Sequence, residues 1–314
     1  MKQKIINLDH LVERGVAIIG SKVKTAIVQS EWYVNVFEPE AVMEALSAQG
    51  VKADIFTFIQ RPPDNVPRYP YYYEWDEMAC ISVGTFQAWW ESQIPKSTRK
   101  HIRRSQKLGV VTRVVPFDEA LLRGIADIYN ESPVRDGTPF LHYGKSMEDL
   151  KASHETFLDR SDFIGAFLGE ELVGFIKLTY SGETGRTMQI ISKIKHRDKW
   201  STNALIAKAV ERCAEKGIRY LVYGQLRYGK LGNPGLRSFK IENGFRPLNV
   251  PRYYVPLSTK GRFVLALGLH KGLAQLLPRR AVPLLRAVRK HLTLVKALVI
   301  TKVYGSSSLD APVV

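Results

Sequence analysis

Phe163-Ile-Gly-Ala-Phe-Leu168, then Gly169-Glu170-Glu171, then Leu172-Val-Gly-Phe-Ile-Lys-Leu-Thr-Tyr180 is the stretch on which the fold turns. Two apolar runs rich in β-branched and aromatic residues, joined by a glycine-bearing turn, read as a hairpin of buried strands. Upstream, Val110 to Val115 reads as a strand. Asp118 to Asn130 and Lys145 to Leu158 show helical apolar spacing, parted by the Pro- and Gly-bearing stretch Ser132 to Gly144. Downstream, Thr187 to Ile194 is a strand, followed by a helix with Ser201 or Thr202 as N-cap and Lys216-Gly217 as its stop. Ile218 to Tyr223 is another strand, Leu236 to Glu242 a short helix ending at Asn243-Gly244, and Phe245 to Leu257 is extended. Over residues 110–257 the order is β-α-α-β-β-β-α-β-α-β.

The first ninety or so residues are less regular. Ala26 to Gln29, Trp32 to Phe37 and Ile55 to Ile59 read as strands, and Glu40 to Gln49 as a helix stopped by Gly50. The Pro- and Tyr-rich segment Arg61 to Tyr73 fits either an aromatic substrate wall or a packed surface loop.

The 314 residues are 45% hydrophobic and 24% charged, an ordinary globular balance with enough chain for one large domain or two modest ones. Cys80 and Cys213 stand alone, which excludes a disulfide framework and points to a reducing compartment. Met1 to His10 carries no sustained apolar run, and no stretch approaches a membrane span of about 20 apolar residues. The expectation is a cytoplasmic protein. Its net charge of +16 is concentrated. Residues 94–113 hold Lys96, Arg99, Lys100, Arg103, Arg104, Lys107 and Arg113 with no acid, and residues 260–302 hold ten Lys and Arg with none. The second patch interleaves basic and apolar residues at helical spacing. It fits either a helix docked on the protein's own core or one lying on an anionic membrane, peripheral at its inner face. The Gly305-Ser-Ser-Ser308 end is expected to be disordered.

The element order, the Gly169-Glu170-Glu171 turn and Phe239-Lys-Ile-Glu-Asn-Gly-Phe245 together resemble the GNAT acyltransferase superfamily over residues 110–257. Ile94-Pro-Lys-Ser-Thr-Arg99-Lys-His-Ile-Arg103-Arg104-Ser105 also resembles the start of the second half of FemAB-type enzymes. The resemblance implies an α/β (α+β) fold with a mixed, mostly antiparallel sheet flanked by helices. It divides the chain into a smaller N-terminal α/β region at 1–93, a degenerate acyltransferase half; an acyltransferase domain at 94–257; and a basic amphipathic helical tail at 258–314. It implies transfer of an acyl group from acetyl-CoA or another acyl-CoA to the amine of an acceptor. The basic tail suggests an envelope or polysaccharide precursor as that acceptor.

In the superfamily a donor pyrophosphate rests on backbone N–H groups where the helix after the fourth strand begins, within Arg/Gln-x-x-Gly-x-Gly/Ala. The aligned residues are Arg197-Asp198-Lys199-Trp200-Ser201-Thr202, with the arginine kept and both glycines replaced. The implied donor contacts are Arg197, Lys199, Ser201, Thr202 and Asn203, with the backbone of Ile191, Ser192 and Lys193 along the pantetheine arm. Lys240 stands where many members have a tyrosine that protonates the leaving thiolate and where FemAB-type enzymes have lysine. The implied role is catalytic: a charge clamp on the oxyanion, or an acid. The loop holding Arg135, Asp136, His142 and Tyr143 is the acceptor-contact candidate. Asp136, Glu170, Glu171, Glu183 and His142 are available as general base, and spacing singles out none. The competing readings are aminoacyl transfer from aminoacyl-tRNA, with residues 96–107 on RNA phosphates, and a non-catalytic membrane- or polyanion-binding role.

Other motifs fail. Gly224-Gln-Leu-Arg-Tyr-Gly229-Lys230-Leu231 follows a strand as a P-loop does, but Leu231 replaces the magnesium-ligating Ser/Thr. The seven histidines include no metal-binding spacing, so no metal is expected. There is no Gly-x-Ser-x-Gly nucleophile elbow and no dinucleotide-binding glycine fingerprint.

Overall fold

The computed structural model describes residues 4–8, 10–227 and 233–271. The expected amphipathic tail from residue 272 onward, its disordered end included, lies outside the described residues, as do residues 228–232. In chain order the elements begin with β1 (Lys4–Ile6), β2 (Val16–Ile19), β3 (Thr25–Val28), α1 (Pro39–Ala48), β4 (Ile55–Ile59) and β5 (Tyr73–Ser82). Next come α2 (Phe86–Ala88), running into a π-turn (Trp89–Gln93), then α3 (Lys96–Lys107), β6 (Val110–Val115), α4 (Glu119–Tyr129), a small hairpin of β7 (Val134–Arg135) and β8 (Thr138–Pro139), and α5 (Met147–His154). The rest are β9 (Ser161–Leu168), β10 (Glu171–Ser181), β11 (Thr184–Ser192), α6 (Ser201–Glu215), β12 (Tyr220–Gln225), α7 (Pro234–Glu242), β13 (Arg246–Pro256) and α8 (Thr259–Ala266).

Among the described residues eleven strands form one mixed, mostly antiparallel sheet in the order β1-β2-β3-β4-β13-β5-β12-β11-β10-β9-β6. This is the expected fold class. Two pairs are parallel, β3 with β4 and β11 with β12, and each is bridged by a crossover helix, α1 or α6. Parallel neighbours require such a crossover, because a tight turn cannot reverse the chain twice. The described residues divide into two compact units, one of residues 4–95, 179–187 and 210–271 and the other of 96–178 and 188–209.

In the first unit β13 lies between β4 and β5. It pairs antiparallel with β5 from Arg246↔Cys80 to Tyr253↔Tyr73 and with β4 from Arg252↔Ile59 to Pro256↔Ile55. Ile59, Met78, Cys80, Val222 and Val250 form an apolar cluster on which Trp32 packs. Buried in the same unit, Arg252 donates from Nη1 and Nη2 to Glu31 and from Nε to Asp76, each at 2.8 Å. Burial works against its charge, but the two carboxylates outweigh that and hold its pKa above the ordinary value. The Pro- and Tyr-rich segment is a packed loop here: Tyr69 meets Phe58 edge-on at 5.5 Å, and the Tyr253 hydroxyl accepts from the Arg68 N–H at 2.8 Å. In the second unit Leu121, Leu122, Ile125, Ile128 and Tyr129 of α4 pack with Leu150, Phe163, Leu172 and Phe175. Each such side chain adds roughly 1.5–3 kcal/mol when fully buried.

The glycine stops act as the spacing predicts. At the end of α7 the Gly244 N–H donates to the Ile241 carbonyl (3.0 Å) and the Phe245 N–H to the Lys240 carbonyl (3.0 Å), the Schellman pattern. Gly217 with Ile218, and Gly50 with Val51, close α6 and α1 the same way. One local expectation fails and one strand was not expected. Trp32 to Phe37 is not a strand: the Tyr33 N–H bonds back to the Ser30 carbonyl, and burial falls at Glu31 and Val34, three apart rather than two. β5 escaped notice because its acids, Glu74, Asp76 and Glu77, mask the apolar alternation, one of them consumed by the buried Arg252.

Gly244 has φ +91°, and a Cβ there would stand 2.7 Å from Trp89 Nε1; Gly50, at φ +62°, has open space. Gly50→Ala is expected to lose only the left-handed backbone penalty of about 1–2 kcal/mol. Gly244→Ala adds overpacking of about 1–3 kcal/mol. Equal losses in urea unfolding of the two variants would contradict this.

Candidate functional site

The turn between β11 and α6, where the donor contacts were expected, lies in the second unit. It is a 3₁₀ stretch, Ile194–Lys199, whose first two N–H groups donate to Glu131, Ile194 to Oε2 and Lys195 to Oε1 (2.8 Å). Glu131, at the end of α4, thus supplies the anion that such a turn attracts. Arg135 bonds the carbonyls of Ser192 (2.8 Å) and Ile128 (2.7 Å), pairs with Glu131 at 3.3 Å, and lies over the Phe140 ring. The basic residues of the turn all have acidic partners. Lys193 and Lys195 each reach Glu171 at 2.7 Å, with His196 at 3.1 Å, and the two lysines hold the Glu171 carboxyl down at about 2. Arg197 meets Asp136 at 2.7 Å and Lys199 meets Asp198 at 2.9 Å. Arg197 and Asp136 are exposed, so their pairing contributes under about 1 kcal/mol.

Trp200 ends the turn at φ +51°, the backbone region that glycine enters without strain. The superfamily's glycine therefore has a backbone reason, which tryptophan meets at a cost of roughly 1–2 kcal/mol. Compensation comes from α3: His101 stacks on the indole at 5.1 Å and 12°, and Arg104 lies over it at 4.9 Å. The expected N-cap is not made. α6 begins at Ser201 with the N–H groups of Asn203 and Ala204 turned to the Trp200 carbonyl. The buried Ser201 hydroxyl bonds nothing, and Thr202 Oγ1 pairs instead with Ser192 Oγ at 2.8 Å, joining β11 to α6. Ile191 packs against the α4 core, and Asn203 is buried.

Of the acceptor-contact candidates, Arg135 and Asp136 are engaged as above. His142 stacks on Tyr129 at 4.8 Å, with Nε2 3.2 Å from Gln189 Nε2. Tyr143 is partly exposed. Of the candidate bases, Glu183 pairs with Arg219 at 3.1 Å, Asp136 holds Arg197, Glu171 holds three basic side chains, and Glu170 is exposed on the β9–β10 turn. Sequence reading missed Glu131, whose place at a helix end carries no signal, and the buried chain beside His142. There the Tyr129 hydroxyl is 3.1 Å from His154 Nε2, and fully buried Lys177 donates to the His154 carbonyl at 2.7 Å and to Thr156.

Lys240 belongs to the first unit. Wholly buried on α7, it donates to the carbonyls of Tyr223 (2.7 Å) and Gln225 (2.8 Å), on either side of Gly224 where the β5–β12 register shifts. Its ammonium lies 4.2 Å from the Tyr223 ring centre, and burial pushes its pKa down to about 8. Among the described residues no cluster of His, Cys, Asp and Glu is arranged to hold a metal.

Burial, helped by the Lys177 charge, lowers His154 from 6.5 to about 4. An unfolded chain takes up that proton near pH 6.5 while the folded one does not, so stability is lost as pH falls from about 6.5 towards about 4. His154→Gln is expected to flatten this limb in urea unfolding series between pH 7 and 4. An unchanged slope would assign the limb elsewhere.

No protein-family model and no curated protein matches the chain. Solved structures do. The chain is similar to L-PGS from Bacillus licheniformis (16% identity, TM-score 0.56, covering 85% of this chain and 88% of that one). It is similar to the C-terminal domain of a lysylphosphatidylglycerol synthetase from Agrobacterium fabrum, so named provisionally (13%, 0.55, 85% and 89%). It is also similar to FemX (10%, 0.55, 80% and 85%). At such identities the likeness is one of fold, and the fold of this chain is of the GNAT type.

Proposed function

We propose that the protein is an acyltransferase whose donor is an aminoacyl ester carried on tRNA. The observation that carries this reading is Trp200, clamped by His101 and Arg104 at the position where a CoA-binding turn has glycine. Glu131 already satisfies the N–H groups at the start of that turn, and Lys193, Arg197 and Lys199 face carboxylates. The exposed cations of α3, Lys96, Lys100, Arg103, Arg104 and Lys107, suit a nucleic acid backbone. The names of the similar structures, a lysylphosphatidylglycerol synthetase and FemX, also favour aminoacyl over acetyl transfer. In the step itself the acceptor amine attacks the ester carbonyl, the carbon–oxygen bond to the ribose breaks, and the amine's proton passes to the departing hydroxyl. Residues 94–257 would carry this chemistry, with residues 1–93 as a degenerate partner half. The crossover β3-α1-β4, repeated by β11-α6-β12, supports that division. The acceptor would be an envelope precursor met at the membrane's inner face. Exposed Phe263 of α8 and Leu267 at its C-cap, four residues apart where the basic tail begins, support that location. No helix among the described residues is long and apolar enough to cross a membrane.

Titration with aminoacyl-tRNA and with acetyl-CoA separates the donors. Salt-sensitive tRNA binding is expected, with the log–log salt slope reduced by about two to three units when Arg99, Arg103 and Arg104 are neutralised. Acetyl-CoA is expected to bind only after Trp200→Gly. Micromolar acetyl-CoA binding by the wild type, without tRNA binding, would make acyl-CoA the donor.

Lys240, in this reading, holds a positive charge near the developing oxyanion. Lys240→Met should then lower turnover by about 10²-fold or more while leaving tRNA affinity unchanged. The charge is present below a pKa of about 8, so the wild-type rate should fall as pH rises through that value. A flat profile from pH 7 to 9.5 would remove Lys240 from the chemistry.

A further inference from the structure

Three segments of the first unit enclose a cavity of about 180 Å³: residues 35–37 before α1, residues 59–69 running out of β4, and the β10–β11 turn at 181–184. Side chains tie these segments to one another. Tyr69 Oη donates to the Phe37 carbonyl at 3.0 Å, and Thr184 Oγ1 donates to the Pro62 carbonyl at 3.1 Å. Buried Gln60 fixes the course of the loop, donating from Nε2 to the Val66 carbonyl at 2.7 Å and accepting from the Tyr253 hydroxyl at 2.8 Å. The walls are therefore set before anything enters, and a ligand meets little ordering cost. Arg61 joins the other two segments: its Nη1 donates to Asn35 Oδ1 at 3.0 Å and to Ser181 Oγ at 3.1 Å.

That one nitrogen gathers a cluster of donors around it. The Asn35 amide nitrogen and the Ser181 hydroxyl belong to the groups that accept from Arg61, and neither finds an acceptor among the described residues. Both side chains are half-buried and line the cavity. The two acids of the lining are engaged, Asp64 by Arg68 and Glu183 by Arg219 at 3.1 Å. Donors gathered beside a guanidinium call for an acceptor that carries negative charge. Val36, Ile59, Pro62 and Tyr69 give the same cavity apolar wall. Size narrows the ligand further. A cavity of about 150 Å³ holds a benzene ring, whereas drug-sized ligands occupy roughly 300 Å³ or more. We propose that this cavity binds a small carboxylic acid with a ring-sized apolar body, its carboxylate held by Arg61, Asn35 and Ser181. The site includes neither Lys240 nor Trp200 nor any residue of α3, and it does not depend on the choice of donor.

The test is a ligand-observed NMR titration of the full chain with benzoate, alongside benzamide and benzamidine as its neutral and cationic counterparts. Benzoate is expected to bind saturably, benzamide about tenfold more weakly, and benzamidine not at all. Ser181→Ala should weaken benzoate about two- to tenfold, the loss of one hydrogen bond. Asn35→Asp keeps the oxygen that Arg61 needs but replaces a donor with a negative charge. It should lose benzoate binding and melt no lower than the wild type, a result that a purely structural role for Asn35 would not give. If Asn35→Asp does not fold, Ser181→Ala carries the comparison. The proposal is overturned if the wild type binds benzoate no more tightly than benzamide, or if the variants that fold bind benzoate as the wild type does.

Discussion

The ion cluster of Arg252 with Glu31 and Asp76 is the constraint on which the first unit rests. Its three members come from the last strand, from the segment before α1 and from β5, so no local preference brings them together. Losing one partner would leave a buried charge uncompensated, a cost of about 3–5 kcal/mol. The cluster also pins β13 in register between β4 and β5, and register decides which face each side chain of that strand presents.

The second unit shows how a turn suited to anions becomes part of the protein's own packing. A 3₁₀ or α-helical start leaves N–H groups without partners, and phosphate is one way to satisfy them. Here Glu131 takes the first two, Trp200 closes the turn in a glycine-like conformation, and α3 holds the indole from outside. The three features pack as one unit.

Much of the architecture was legible in the sequence. The hairpin at Gly169, the α4 stripe from Leu121 to Ile128 and the helix stops at Gly50, Gly217 and Gly244 follow from period and from backbone freedom, both local properties. β5 was not legible, because its acids interrupt the apolar alternation, and two of them, Glu74 and Asp76, are paired with residues far along the chain. Trp32 to Phe37 misled for the opposite reason: aromatic alternation without a neighbouring strand gives no ladder. Within the candidate site, the positions of Arg197, Lys199 and Lys240 could be named from motif, whereas their partners Asp136, Asp198, Tyr223 and Gln225 could not.

The sequence by itself determined the element order, the GNAT type of fold, the concentration of positive charge in two segments and the absence of glycine from residues 197–202. Those are matters of spacing and composition along a chain. Tertiary structure alone decided which charges are neutralised, that Trp200 is held by His101 and Arg104, and that Arg186 is buried with its Nε and Nη2 unpaired. The reason is physical: a charge's cost and chemistry depend on what surrounds it within a few ångströms, and for Arg252, Arg197 and Trp200 those surroundings come from residues tens to hundreds of positions away.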